Sequence, residues 1–175
     1  MYCKLLRESV SRLKGDENAL RPAAVVRMDF LHTDDSIIQG KHDAIMASCF
    51  PASYISEPRL RIECYRKIAS IMKTEEIMIY EEELTDRFGP IPDQTRALLH
   101  ETEIKCLGQE AGFDSISSKE NELYCREVKK SSRDGVKYLK KMGRIPLLNE
   151  KLPLLKLKEI IRFLKIHLHG IKDVS

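Results

Sequence analysis

The run Glu83–Pro92, which reads Glu-Leu-Thr-Asp-Arg-Phe-Gly-Pro-Ile-Pro, constrains the fold of this chain more than any other segment. It follows a helical pattern that begins at Thr74 and places its apolar residues on one face. Gly89 and Pro90 are expected to end this helix, because glycine readily forms a left-handed cap and proline cannot continue a helix. The pattern therefore predicts a helix with a sharply defined end.

Three charged side chains near that end, Glu83, Asp86 and Arg87, fall within about one turn of each other, since residues three and four apart share a helical face. One interpretation is a solvated helix end with local ion pairs, which contribute little to stability. The other is a surface that makes bidentate, charge-assisted contacts with arginines of another protein surface. Catalysis or metal binding is not favoured, because most acidic side chains of this segment fan around an exposed helix.

The rest of the chain reads as a small sheet with several helices. Strands are predicted over 24–30 and 44–50, joined by a polar loop or long hairpin connection over 31–43. Helices are predicted over 2–14, after a cap at Ser56, from caps at Thr74 and Asp93, over 132–142 and over 156–169. Leu60, Cys64, Ile68 and Met72 are expected to form the buried stripe of the helix that follows Ser56. A hairpin is predicted over 115–128. This order favours an α+β fold with a mostly antiparallel sheet.

Charge is distributed unevenly along the chain. Residues 1–128 hold 17 Lys and Arg against 23 Asp and Glu, whereas residues 129–175 hold 13 against 4. We therefore predict a compact domain over 1–128 and a basic, mainly helical extension over 129–175 that packs on it or follows it. The basic region is either a solvated face or a surface that contacts nucleic-acid phosphates.

The sequence lacks the motifs of several kinds of binding site. There is no G-x-x-x-x-G-K-[ST] or G-x-G-x-x-G loop, so bound nucleotide is not expected. The five cysteines are scattered and never spaced Cys-x-x-Cys, which is typical of reduced thiols in a cytoplasmic protein and argues against zinc. No apolar run approaches the ~20 residues that a membrane span needs. We predict no catalytic residue, no metal and no cofactor in this chain.

The pattern Glu83-Leu84-x-Asp86-Arg87-Phe88-Gly89-Pro90-x-Pro92 resembles the signature of the C-terminal domain of bacterial transcription-repair coupling factors. Upstream segments that contain Tyr54, Arg59, Tyr65 and Arg66 are similar to the same family. The resemblance covers roughly residues 1–128. The loop over 31–43 is longer than the family's usual connection, and little beyond residue 129 is recognisable.

The resemblance implies a noncatalytic, regulatory end piece of a large ATP-driven DNA translocase. Such a protein displaces stalled RNA polymerase and recruits nucleotide-excision repair through UvrA, and its motor uses ATP and Mg²⁺ outside this domain. In this family the C-terminal domain packs against a UvrB-like N-terminal module of the same protein and masks the UvrA-binding surface.

Carried over by position, Glu83, Asp86 and Arg87 would pair with charged residues of that module, and Phe88 would anchor the helix end. The remaining matched positions would be structural, namely Tyr54, Arg59, Tyr65, Arg66, Gly89, Pro90 and Pro92. The alternative implied function is a module that contacts nucleic acid or RNA polymerase through its basic C-terminal region.

Overall fold

The computed structural model describes residues 24–32, 45–127, 145–146 and 152–172. In chain order its elements are β1 (Val25–Arg27), β2 (Leu31–His32), β3 (Met46–Ala47), α1 (Pro58–Ser70), α2 (Thr74–Phe88), α3 (Asp93–Glu110), β4 (Phe113–Lys119), β5 (Glu122–Glu127), β6 (Ile145–Pro146) and α4 (Pro153–Lys172). The helices predicted over 2–14 and 132–142 lie outside the described residues.

The larger sheet has the strand order β1-β4-β5-β6. β1 is parallel to β4, whereas the pairings β4–β5 and β5–β6 are antiparallel. The predicted hairpin is confirmed, and Glu120 and Asn121 form its turn with positive φ values of 51° and 63°. A sheet that is mostly antiparallel and packs with helices confirms the predicted α+β class.

The predicted strands near the N-terminal side are shorter than expected, and the hairpin interpretation of 31–43 is wrong. β2 forms the start of this segment and β3 follows it, and the two strands pair in parallel. Within 24–30, Met28 and Phe30 are buried as the alternating pattern predicts, but only Val25–Arg27 pairs as a strand. Burial of alternate side chains therefore continues beyond the hydrogen-bonded ladder.

The three central helices begin within one residue of the predicted positions. The predicted cap Ser56 lies one residue before the observed N-cap, whereas Thr74 and Asp93 each lie one residue after it. The residues that precede the first turns are Glu57, Lys73 and Pro92, and none of them makes a side-chain capping hydrogen bond. Met72 was expected in the buried stripe of α1; it lies beyond the end of that helix and is 38 % exposed. Such differences of one or two residues are usual at helix ends.

Two clusters of buried apolar side chains share helix α3. The first lies between α3, α4 and the larger sheet, and its fully buried members include Ile104, Ile116, Leu157, Ile160 and Leu164. The second lies between α1, α2 and the opposite face of α3, and it includes Cys64, Ile68, Ile77, Tyr80, Leu84 and Leu99. Helix α4 thus belongs to the same core as the sheet, and α2 is held firmly on the second cluster.

Candidate interdomain contact surface at the end of helix α2

Helix α2 ends at a glycine that adopts a backbone conformation reserved for that residue type. Gly89 has φ 86° and ψ −162°, and its N–H donates to the carbonyl oxygen of Thr85. Residues with a Cβ rarely occupy this region. The hydroxyl of Tyr54 lies 3.1 Å from the carbonyl oxygens of both Leu84 and Gly89, so it ties down the chain on each side of the helix end.

Aromatic packing fixes the same point from inside the domain. Phe88 is partly buried against the second cluster, and its ring lies edge-on to Tyr54 with centroids 5.9 Å apart. The guanidinium of Arg87 lies 4.9 Å from the Phe88 ring centroid. Phe88 therefore anchors the helix end within its own domain, as a support for the charged residues beside it, and a contact of Phe88 with another module stays a prediction.

The three predicted charged residues do not have equivalent surroundings. The carboxylate of Glu83 forms ion pairs with Lys67 of α1 and with Arg87, the latter at 3.2 Å. The hydrogen bond from Lys67, aided by that from Arg87, lowers the pKa of Glu83. Asp86 is exposed and has no hydrogen bond or ion pair with any residue that the structure describes. The structure thus contains the local ion pairs of the first interpretation. Contact of this helix end with another protein surface stays a prediction.

Two of the charged groups remain available to a partner. The Arg87 side chain is 46 % exposed, and one of its terminal nitrogens contacts Glu83. A guanidinium carries five N–H donors, so most of its donors are free to bind a second carboxylate. Together with Asp86, it presents one exposed charge of each sign on a rigid helix end.

The remaining motif positions divide into supports and surface residues. Tyr65 accepts a hydrogen bond from the Phe50 N–H at 2.9 Å and packs edge-on against its ring. Arg59 and Arg66 are exposed on α1. In the connection to α3, Pro90 is exposed and Pro92 precedes the first turn of that helix. Tyr54 and Tyr65 therefore shape the scaffold, while the two arginines lie on its surface.

Sequence reasoning missed Lys67, the basic partner of Glu83. It lies 16 residues before Glu83 on a neighbouring helix, and its ammonium also lies 5.1 Å from the Tyr80 ring centroid. Spacing rules within one helix cannot reveal such a pair. The available signal in the sequence was a lysine in the last turn of the helix that precedes α2.

A second charged surface lies on α4. Lys158, Arg162, Lys165 and His169 follow one face of this helix, beside the exposed Ile166. Lys165 is paired with Glu103 of α3 at 2.8 Å, which neutralises part of that face. Lys158 and Arg162 leave the rest of this face positively charged and exposed to solvent.

Within the described ranges, no three His, Cys, Asp or Glu side chains are grouped so that they could hold a metal ion. None of the helices that the structure describes is both long and apolar enough to cross a bilayer.

Comparison with known proteins gives concordant results. The model of the TRCF domain family matches residues 45–138. The chain is similar to the transcription-repair-coupling factor of Escherichia coli K12, with 29 % identity over 121 residues that cover 69 % of this chain and 10 % of that protein. The corresponding protein of Staphylococcus epidermidis is 28 % identical over 119 residues, covering 68 % of this chain and 9 % of its own length. The chain thus spans about a tenth of the length of these relatives.

Among solved structures, the chain resembles the C-terminal domain of transcription-repair coupling factor with a TM-score of 0.51 and 21 % identity. The match covers 84 % of this chain and 98 % of that structure, and it shows that the two share a fold.

Proposed function

This chain belongs to the TRCF domain family, and from that premise we propose that it is a noncatalytic, autoinhibitory domain of a cytoplasmic transcription-repair coupling factor. In this proposal the end of α2 contacts the UvrB-like N-terminal module of the parent protein and masks the surface that binds UvrA. The parent protein supplies the ATP- and Mg²⁺-dependent translocase motor, and through it the link to DNA and RNA polymerase.

The observation that carries the proposal is the pair of exposed, opposite charges at Asp86 and Arg87 on a rigid helix end. A contact that must open and close is suited to partly exposed ion pairs, each of which contributes only about 0.2–1 kcal/mol. Charge complementarity also selects the correct partner surface. Several such pairs together provide an association that is specific yet reversible.

We assign different tasks to the three charged residues. Asp86 and Arg87 contact the partner, whereas Glu83 holds the Arg87 guanidinium in place and is itself held by Lys67. A partner arginine that reached Glu83 would have to share this carboxylate with Lys67. The contact is therefore expected to depend most on Asp86 and Arg87.

In the intact parent protein, the double substitution Asp86→Ala and Arg87→Ala is expected to strengthen UvrA binding. Coupling energies between two sites are typically 1–3 kcal/mol, so the expected increase in affinity is about 5–150-fold. Titration of the parent protein with UvrA, followed by surface plasmon resonance, measures it.

A control variant changes one exposed charge of each sign elsewhere, Glu63→Ala with Lys73→Ala. It should leave UvrA affinity unchanged. If the Asp86 and Arg87 variant is folded and binds UvrA no better than the control variant, the autoinhibitory proposal is wrong.

The basic face of α4 supports a second candidate function, contact with nucleic acid or RNA polymerase. Lys158 and Arg162 are exposed on this face and have no ion pair with any residue in the described part of the chain. Because exposed cations that approach DNA release condensed counterions, such a contact would depend steeply on salt.

The nucleic-acid candidate is tested with Lys158→Glu and Arg162→Glu, since deleting residues from 129 onward would remove buried side chains of α4. The substitutions should weaken DNA binding and reduce the slope of log K against log salt by about 0.9 for each phosphate that the protein no longer neutralises. Fluorescence anisotropy with a duplex at several salt concentrations measures this. The same charge change on α1, Arg59→Glu with Arg66→Glu, serves as the control. No DNA binding by the unmodified chain at low salt would rule the candidate out.

A further inference from the structure

The outer face of α2 combines exposed apolar side chains with carboxylates. Met78 and Ile79 are 68 % and 66 % exposed, more than any other large apolar residue of the described ranges. Glu75, Glu82 and Asp86 are exposed around them. We call these five residues the α2 outer stripe.

Helical spacing makes this a continuous surface that ends at the proposed contact. Positions 75, 79, 82 and 86 are separated by four, three and four residues, so they lie on one side of the helix. At 1.5 Å per residue, Ile79 lies about 10.5 Å along the helix axis from Asp86. The outer stripe therefore leads directly to the residues that we assign to the autoinhibitory contact.

The other faces of α2 are occupied by neighbours within the domain. Ile77, Tyr80 and Leu84 point into the second cluster. On one flank Glu83 pairs with Lys67 of α1, and on the other Glu81 pairs with Arg96 of α3 at 3.9 Å. Within the described residues, the outer stripe is the side of the helix that nothing covers.

The chemistry of the stripe defines what can cover it. Glu75, Glu82 and Asp86 make no hydrogen bond or ion pair with other described residues, so three carboxylates surround two exposed apolar side chains. A phosphate-rich partner would be repelled by these carboxylates. A protein surface with an apolar centre and a rim of arginine or lysine would complement this arrangement. Its basic rim would pair with the three carboxylates, and its apolar centre would cover the two exposed apolar side chains.

We propose that the contact of Asp86 and Arg87 extends for about three turns along α2, and that Met78 and Ile79 lie against an apolar patch of the same protein partner, rimmed by basic residues. This inference rests on the proposed function, because Asp86 belongs to both surfaces. It adds an apolar centre to a contact that the charged residues alone would leave entirely polar.

The most direct test is oxidation of Met78, since thioether oxidation follows exposure. This chain and the intact parent protein are treated with dilute hydrogen peroxide, and oxidation at each methionine is followed by peptide mass spectrometry. Met78 should react at least about fivefold more slowly in the parent protein than in this chain. Met72, 38 % exposed between α1 and α2, serves as the internal control and should react at the same rate in both.

The substitutions Asp86→Ala and Arg87→Ala in the parent protein should restore rapid oxidation of Met78. Equal rates for Met78 in this chain and in the parent protein would refute the extended contact, even if UvrA binding shows that the charged contact exists. Protection that persists in the Asp86 and Arg87 variant would also refute it, because Met78 would then be covered by something else. If Met78 of the isolated chain is itself protected from oxidation and dilution removes that protection, a second copy of the chain covers the stripe. That result would overturn the proposal.

A substitution test provides an independent readout. Met78→Ser with Ile79→Ser in the parent protein should increase UvrA affinity about tenfold, the change that a contact worth roughly 1.4 kcal/mol gives. The control is Ile62→Ser, which changes a residue of α1 that is 51 % exposed. If the Asp86 and Arg87 variant binds UvrA more tightly but the Met78 and Ile79 variant does not, the extended contact is wrong and the proposed function stands. If neither variant changes UvrA binding, both are wrong.

Discussion

Replacement of Leu164 by alanine should lower the free energy of unfolding by about 2–5 kcal/mol, the range found when a fully buried leucine is truncated. Leu164 is 0 % exposed and lies on α4, within the cluster that joins this helix to α3 and the larger sheet. Truncation removes its packing interactions and leaves a cavity that tightly packed neighbours fill only in part. Urea denaturation followed by circular dichroism measures the change.

The matched control lies two residues further along the same helix. Ile166 is 62 % exposed, so Ile166→Ala should change the free energy of unfolding by no more than about 0.5 kcal/mol. A loss of less than about 1 kcal/mol for Leu164→Ala would mean that α4 is peripheral to the fold rather than part of its core.

Substitution of Gly89 by alanine should cost about 1–3 kcal/mol of stability, even though a Cβ at this position would meet no atom within 4 Å. The cost arises from the backbone: with φ 86° and ψ −162°, the residue occupies a region that is essentially restricted to glycine. The strain cannot be relieved by moving a neighbouring side chain. Thermal unfolding monitored by calorimetry should show a clearly lowered melting temperature.

Asp86→Ala provides the comparison for Gly89, because Asp86 is exposed three residues earlier and has no partner among the described residues. It should leave the melting temperature nearly unchanged. A Gly89→Ala protein as stable as the Asp86→Ala protein would show that the helix end can readily adopt another backbone conformation. The hydroxyl of Tyr54 would then not be sufficient to fix it.

The features predicted correctly from sequence are those set by neighbouring residues. Ile77, Tyr80 and Leu84 repeat with the period of a helix, and all three are buried as expected. The end of α2 at Gly89 was predictable for the same reason, because a backbone with positive φ is a local requirement, although its ψ of −162° differs from that of the predicted left-handed cap. The hairpin of β4 and β5 likewise follows from alternation on each side of a short polar turn.

The features that sequence reasoning missed depend on contacts between distant segments. Lys67 and Glu83 meet because α1 packs beside α2, and no spacing within one helix encodes that meeting. The parallel pairing of β2 with β3 is equally invisible, since alternation does not report strand direction. The excess of lysine and arginine over 129–175 predicts an extension that packs on the domain or follows it, but charge alone does not reveal which side chains are buried. Leu157 and Ile160 of α4 are fully buried with the sheet. The boundary at residue 128 stays a prediction.

The position of α3 between two clusters has a consequence for how the domain can be divided. Ile104 and Leu107 of this helix belong to the cluster with α4, whereas Leu99 and Cys106 belong to the cluster with α1 and α2. Unwinding α3 would therefore expose apolar surface on both sides at once. The two clusters should therefore unfold together as a single cooperative unit. If the chain were cut within 93–110, neither of the two fragments would keep a solvent-excluded interior.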